Sequence, residues 1–107
     1  MSATDQLNCS ITLINVFTFI PEKQSTVADK IAHIYKAFVC HQPGLILTTI
    51  QKSLDGTKVA AVAKWESQAA LSTMQQNSDF HHFLKLLNGE IIGAESYLYE
   101  TISAIGS

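Results

Sequence analysis

Between Ser10 and Ile20 the chain reads SITLINVFTFI, an uncharged run dominated by β-branched and aromatic residues. Such side chains fit a pleated, half-buried surface, so the run is a strand. Ile11, Leu13, Asn15, Phe17 and Phe19 point to one side, and Thr12, Ile14, Val16 and Ile20 to the other. A strand with one face in water alternates apolar with polar residues. This one is apolar or β-branched on both faces, so its sheet needs cover from two directions. The helices of one chain cover one side. The simplest supplier for the other is an identical chain laid sheet to sheet about a two-fold axis. A homodimer through the sheet face is therefore expected.

The remaining elements follow from local signals. Pro21 stops the strand and suits a helix start, where its missing N–H costs nothing. From Glu22 to His41, Val27, Ile31, Ile34, Tyr35, Phe38 and Val39 recur at spacings of three and four, the stripe of an amphipathic helix that Pro43-Gly44 ends. Leu45–Lys52 and Lys58–Glu66 read as strands joined at Asp55-Gly56, where glycine tolerates the positive φ of a hairpin turn. Ser67 is a fit N-cap for a short helix through Gln76. Asp79–Asn88 forms another helix with Phe80, Phe83, Leu84 and Leu87 inward, capped by Gly89, and Ile91–Ile102 is the last strand. The order β-α-β-β-α-α-β predicts an α+β, ferredoxin-like split βαβ fold: a four-stranded antiparallel sheet with helices on one face. Right-handed crossovers place the first strand between the third and fourth. Residues 1–9 are expected to be a flexible N-terminus and 10–103 one domain.

Composition narrows the partners. Seven Lys plus Arg stand against nine Asp plus Glu in 107 residues, with no basic run. That argues against nucleic-acid binding, which relies on cations neutralising phosphates. With 47% hydrophobic and 15% charged residues the chain is too apolar for disorder and can bury a core without staples. The uncharged stretch from Gln6 to Pro21 is shorter and more polar than a membrane span and has no Lys or Arg ahead of it. Cys9 and Cys40 form no C-x-x-C pair and read as reduced, largely buried thiols of a cytoplasmic protein.

INVFTFIPEKQ, then PGLI, then LDGTKVAAVAKWES resemble the antibiotic biosynthesis monooxygenase domain family. The likeness runs over about residues 11–102. Pro43-Gly44, the hairpin Leu54-Asp55-Gly56-Thr57 and the junction Trp65-Glu66-Ser67 carry it most specifically. The resemblance implies a dimeric α/β barrel of ferredoxin-like subunits. It also implies a small enzyme that oxidises an aromatic quinol or anthrone with O₂ and uses neither metal nor organic cofactor. Such a protein must hold the ring in a dry cavity, favour its deprotonated form and stabilise charge on reduced oxygen. Two other readings stand beside it: a non-catalytic barrel that binds a small molecule, and the family's haem-degrading branch. That branch carries its iron ligand four residues after the aromatic matching Phe80, which is Leu84 here, and leucine cannot ligate iron.

Asn15 and Trp65 are the foremost site candidates. Asn15 is polar between Leu13 and Phe17 on one strand face, so its amide must bond something fixed or meet a polar ligand. Trp65 shares a face with Val59, Ala61 and Ala63. A ring beside two alanines either borders open space or lets helices pack closely. Since the first and third strands are neighbours, Asn15 and Trp65 are expected to line one cavity with Leu13, Phe17, Ala61, Ala63, Phe80, Phe83 and Leu84. His81 and His82 are proton-transfer candidates, of which one faces inward, because adjacent helical residues diverge by about 100°. Tyr97 shares a face with Glu95 and Tyr99, and either donates protons in the cavity or packs in the dimer contact. His33 falls off the apolar stripe, and His41 lies at a helix end where the dipole favours an imidazolium.

Overall fold

In the computed structural model, residues 10–85, 87 and 89–106 are described, the side chains of Phe83 and Leu84 excepted. The expectations for residues 1–9, Cys9 among them, lie outside the described residues. The chain forms β1 (Ile11–Phe19), α1 (Gln24–Ala37), β2 (Leu45–Lys52), β3 (Lys58–Trp65), α2 (Gln68–Gln75), α3 (Ser78–Lys85) and β4 (Ile91–Glu100). The sheet runs β2-β3-β1-β4 and every neighbouring pair is antiparallel. The α+β fold and the central place of β1 match the reading from sequence.

Local chemistry explains the boundaries. The Ser67 side chain accepts from the backbone N–H of Ala70 at 3.1 Å and starts α2. In the hairpin, the Asp55 carboxylate accepts from Ser53 Oγ at 2.7 Å, Thr57 Oγ1 at 2.7 Å and the Thr57 backbone N–H at 3.0 Å. Gly56 beside it has φ +81°. Gly44 has φ +90°, and a Cβ there would stand 2.5 Å from Ala70 Cβ. Its carbonyl accepts from the Glu66 N–H at 2.8 Å, tying the end of β3 to the start of β2.

The helix expected over residues 22–41 is divided. Pro21–Lys23 forms a separate 3-10 turn, and after Ala37 the backbone leaves helical angles at Phe38 (φ −128°, ψ −59°) before a second such turn, Val39–His41. The break turns Val39 fully into the core. It leaves Cys40 exposed, donating to the Lys36 carbonyl at 2.9 Å, so the expected burial of this thiol is corrected. His33 and His41 are both exposed.

The core lies between one sheet face and the helices. Phe17, Phe19, Val59, Ala61, Ala63 and Trp65 project from the sheet to meet Val27, Ile31 and Ile34 of α1, with Leu71, Met74 and Phe80 closing the far end. α1 packs over β2 and β3 and α2 over β3. The helix-facing side of β4 is consequently left open: Ala94, Ser96 and Leu98 are all exposed.

Candidate active site

That unequal cover creates a cleft of about 410 Å³ bounded by β1, β4 and the α2–α3 end of the helical layer. Leu13, Asn15 and Phe17 form its floor, Ala94 and Ser96 one wall, and Gln75, Phe80 and His81 the other. Strand register sets the floor. Asn15 lies between Ala61 on β3 and Ser96 on β4, and Phe17 between Val59 and Ala94. α3 starts where Asn77 Oδ1 accepts from the Asp79 N–H at 2.8 Å, which aims Phe80 at the core and leaves His81 exposed at the rim.

Asn15 is held from two sides. Its Nδ2 donates to the Tyr35 hydroxyl at 3.4 Å, and its Oδ1 accepts from Ser96 Oγ. It therefore meets both expectations for an amide in an apolar strand, being bonded to fixed partners while still lining a cleft. Burial pushes the Tyr35 phenol above its ordinary 10.0, outweighing the opposite pull of the Asn15 hydrogen bond.

The structure gathers some sequence candidates and separates others. Leu13, Asn15, Phe17, Phe80 and His81 come together around the cleft. Trp65 does not join them. It pairs with Ile11, four residues along β3 from Ala61, and is wholly buried with no hydrogen-bond partner for Nε1 among the described residues. Ala61 and Ala63 are likewise core residues, so here the alanines admit close packing and do not border space. Tyr97 pairs with Ile14 on the opposite sheet face, where its hydroxyl donates to Glu95 Oε2 at 2.9 Å. That hydrogen bond, with the charge of Glu95, holds the phenol above its ordinary 10.0. His82 is exposed and turned from the cleft by the helical step that brings His81 to it. The expected places of the Phe83 and Leu84 side chains lie outside the described residues. Two further hollows, about 380 Å³ beside Asp29, His33 and Ile34 and about 300 Å³ beside Tyr35 and Thr48, contain none of the residues expected to line the cavity.

Residues 10–86 match the family model described as antibiotic biosynthesis monooxygenase. The chain belongs to this family. Tetracenomycin-F1 monooxygenase of Streptomyces glaucescens is 36% identical over 63 residues, which are 59% of this chain and 56% of that protein. The chain thus spans about half the length of this curated relative. Among solved structures, SnoaB, a cofactor-independent oxygenase from Streptomyces nogalater, superposes with a TM-score of 0.76 at 21% identity, covering 92% of this chain and 98% of its own. A conserved protein from Methanosarcina mazei reaches 0.79 at 15% identity, covering 91% and 97%. Both share the fold of this chain at low identity.

Within that fold, sequence reasoning missed Gln75, Ala94, Ser96 and Tyr35. Ser96 is the most legible of them, because it shares a strand face with Leu98 and only the pairing with Asn15 shows which side of the sheet that face is on. Among the described residues no helix is long and apolar enough to cross a membrane.

Proposed function

We propose that the chain is a monooxygenase that oxidises a flat aromatic substrate, a quinol or an anthrone, with O₂ in the cleft between β1, β4 and α3. The observation that carries this reading is Asn15, one amide fixed by two partners on a largely apolar floor. The family match and the names of the relatives support the reaction class.

For an anthrone the step balances without an outside reductant. The ring methylene loses a proton to give a carbanion, whose electrons reduce O₂ to form a C–O bond. The resulting peroxide anion takes up a proton. The hydroperoxide so formed loses the carbon's remaining hydrogen as a proton while its O–O bond breaks and hydroxide leaves as water, so one oxygen atom stays in the product carbonyl and the other departs in water. Leu13, Phe17 and Phe80 bind the ring and displace water from it. Asn15 has two N–H donors. One goes to Tyr35, and the other hydrogen-bonds the substrate oxygen on which charge gathers during deprotonation. His81 at the rim provides an imidazole, the side chain suited to moving a proton near neutrality.

Pairing of two chains through the other sheet face belongs to the same reading. Leu47, Tyr97 and Tyr99 are each about half exposed there (50%, 48% and 50%), beside the partly covered Ile14, Val16 and Val62. A cytoplasmic location accords with the exposed free thiol of Cys40.

The test is oxygen uptake over the uncatalysed rate with dithranol and a series of naphthoquinols. Uptake of one O₂ per anthrone, with an anthraquinone product, is expected. Binding without uptake would make the protein a non-catalytic carrier. A shifted Soret band on mixing with haemin, which is not expected, would move it to the haem branch.

A further inference from the structure

Asn15 has a partner that is not among the residues lining the cleft. Tyr35 is on α1, which packs over β2 and β3, yet its hydroxyl reaches across to a side chain on β1. The residue beside Asn15 on β3 is Ala61, whose methyl group leaves the phenol room to pass. On the opposite flank Ser96 of β4 donates to the amide oxygen. The carboxamide is planar, so a donor on one flank and an acceptor on the other fix both its rotation and the assignment of its oxygen and nitrogen.

We propose that Tyr35 is a positioning residue for the cleft, its hydroxyl setting the rotation of the Asn15 carboxamide so that the second N–H is presented to a bound oxygen. This rests on the oxygenase reading above. The phenol is suited to the task because a tyrosine hydroxyl is neutral at pH 7 and burial favours that form further, so its oxygen can act as a fixed acceptor for the Asn15 N–H. An amide free to rotate would spend part of its time offering Oδ1 to the substrate, and a carbonyl oxygen repels the charge that an N–H stabilises. Preorganised donors owe their effect to not having to turn at the moment of reaction.

Tyr35→Phe keeps the ring in the core and removes only the hydroxyl, and two readouts follow from it. In ¹⁵N NMR spectra the Asn15 side-chain NH₂ signals, identified by their loss in Asn15→Ala, are expected to move while backbone amides of α1 and β3 stay in place. Unmoved NH₂ signals would overturn the proposal. In oxygen uptake with dithranol, kcat is expected to fall about five- to tenfold, the worth of one hydrogen bond, with KM within about twofold. Adding Tyr35→Phe to Asn15→Ala should then cost nothing more. The same loss in both backgrounds would show general damage to packing and overturn the proposal as well. Should the unaltered protein consume no oxygen with any anthrone or quinol, the oxygenase reading fails, and the NH₂ signals still decide whether Tyr35 orients Asn15.

Discussion

Asn15 and Trp65 share a sheet face on neighbouring strands, but they stand four residues out of step: Asn15 is opposite Ala61 and Trp65 opposite Ile11. At strand spacing that is roughly 13 Å. The amide sits in the open cleft beside β4, and the indole is sealed beneath the helices. The two side chains that a sequence reading places in one cavity therefore answer to different experiments.

Asn15→Ala is expected to lower kcat for anthrone oxidation by about a hundredfold, the usual scale for loss of one preorganised donor. Because Asn15 is only half-buried but its loss leaves the buried Tyr35 hydroxyl without its amide partner, the urea midpoint should fall by the equivalent of about 1 kcal/mol. Oxygen uptake and urea titration on the same preparation check both halves. An unchanged kcat would remove Asn15 from the mechanism.

Trp65→Phe, by contrast, is expected to act on stability. The smaller ring leaves a void, offset in part because the Nε1–H, which has no partner among the described residues, is removed with it, for a net loss of about 1 kcal/mol. Affinity for a hydroxyanthraquinone should stay within about twofold. A tenfold loss of binding at an unaltered urea midpoint would place the ring in the cleft after all.

Much of this fold is legible in the chain because its signals are local. Ser67 three residues before Ala70, Asp55 next to Gly56, and the alternation along β1 each act over a few residues. The cleft is less legible because it depends on register between distant strands. Nothing near Ser96 says that it faces Asn15, and nothing near Tyr97 says that it faces Ile14. The depth of Trp65 depends on where α1 and α2 come to rest, and a pattern of small and large residues on β3 cannot distinguish a packed floor from a hollow one. The break at Phe38 escapes the helical stripe because the period places Val39 inward whether the helix continues or breaks, so the apolar pattern runs on unmarked through the 3-10 turn.

Gly44→Ala should cost about 2 kcal/mol or more, because the new methyl group meets Ala70 Cβ at 2.5 Å and the backbone holds a positive φ. Urea unfolding checks the figure. A midpoint equal to that of the unaltered chain would mean that the loop before β2 relaxes freely.

The hairpin carries a predictable acid response. Hydrogen bonds from Thr57 and Ser53 hold the Asp55 carboxyl at about 2, below its ordinary 3.8. A carboxyl with a lowered folded-state pKa contributes its stabilisation in full above the unfolded value and loses it as pH falls through the folded one. Hydrogen-exchange protection of the Thr57 amide should therefore be constant above about pH 5 and decline from pH 4 towards 2. In Asp55→Asn that decline should vanish. A side-chain carboxyl titration by NMR centred near 4 would refute the assignment.

Ile14→Glu puts a charge between Val62 and Tyr97 on the open sheet face. If two chains meet there, the variant should run as a monomer in size-exclusion chromatography with light scattering, and the unaltered protein at twice the chain mass. Equal masses for both would show that this face does not join chains.

β4 presents Ser96 to the cleft and Tyr97 to the opposite side, successive residues of a ten-residue strand with little else behind it. If a guest fills the cleft and a second chain covers the other face, one thin partition lies between them. A guest that stills this backbone lowers the entropy a second chain must surrender in gripping it, and a gripping chain does the same for the guest. By reciprocity, whatever factor tightens one equilibrium tightens the other equally. Diluting the protein and withdrawing its guest should then be two ways of loosening the same strand.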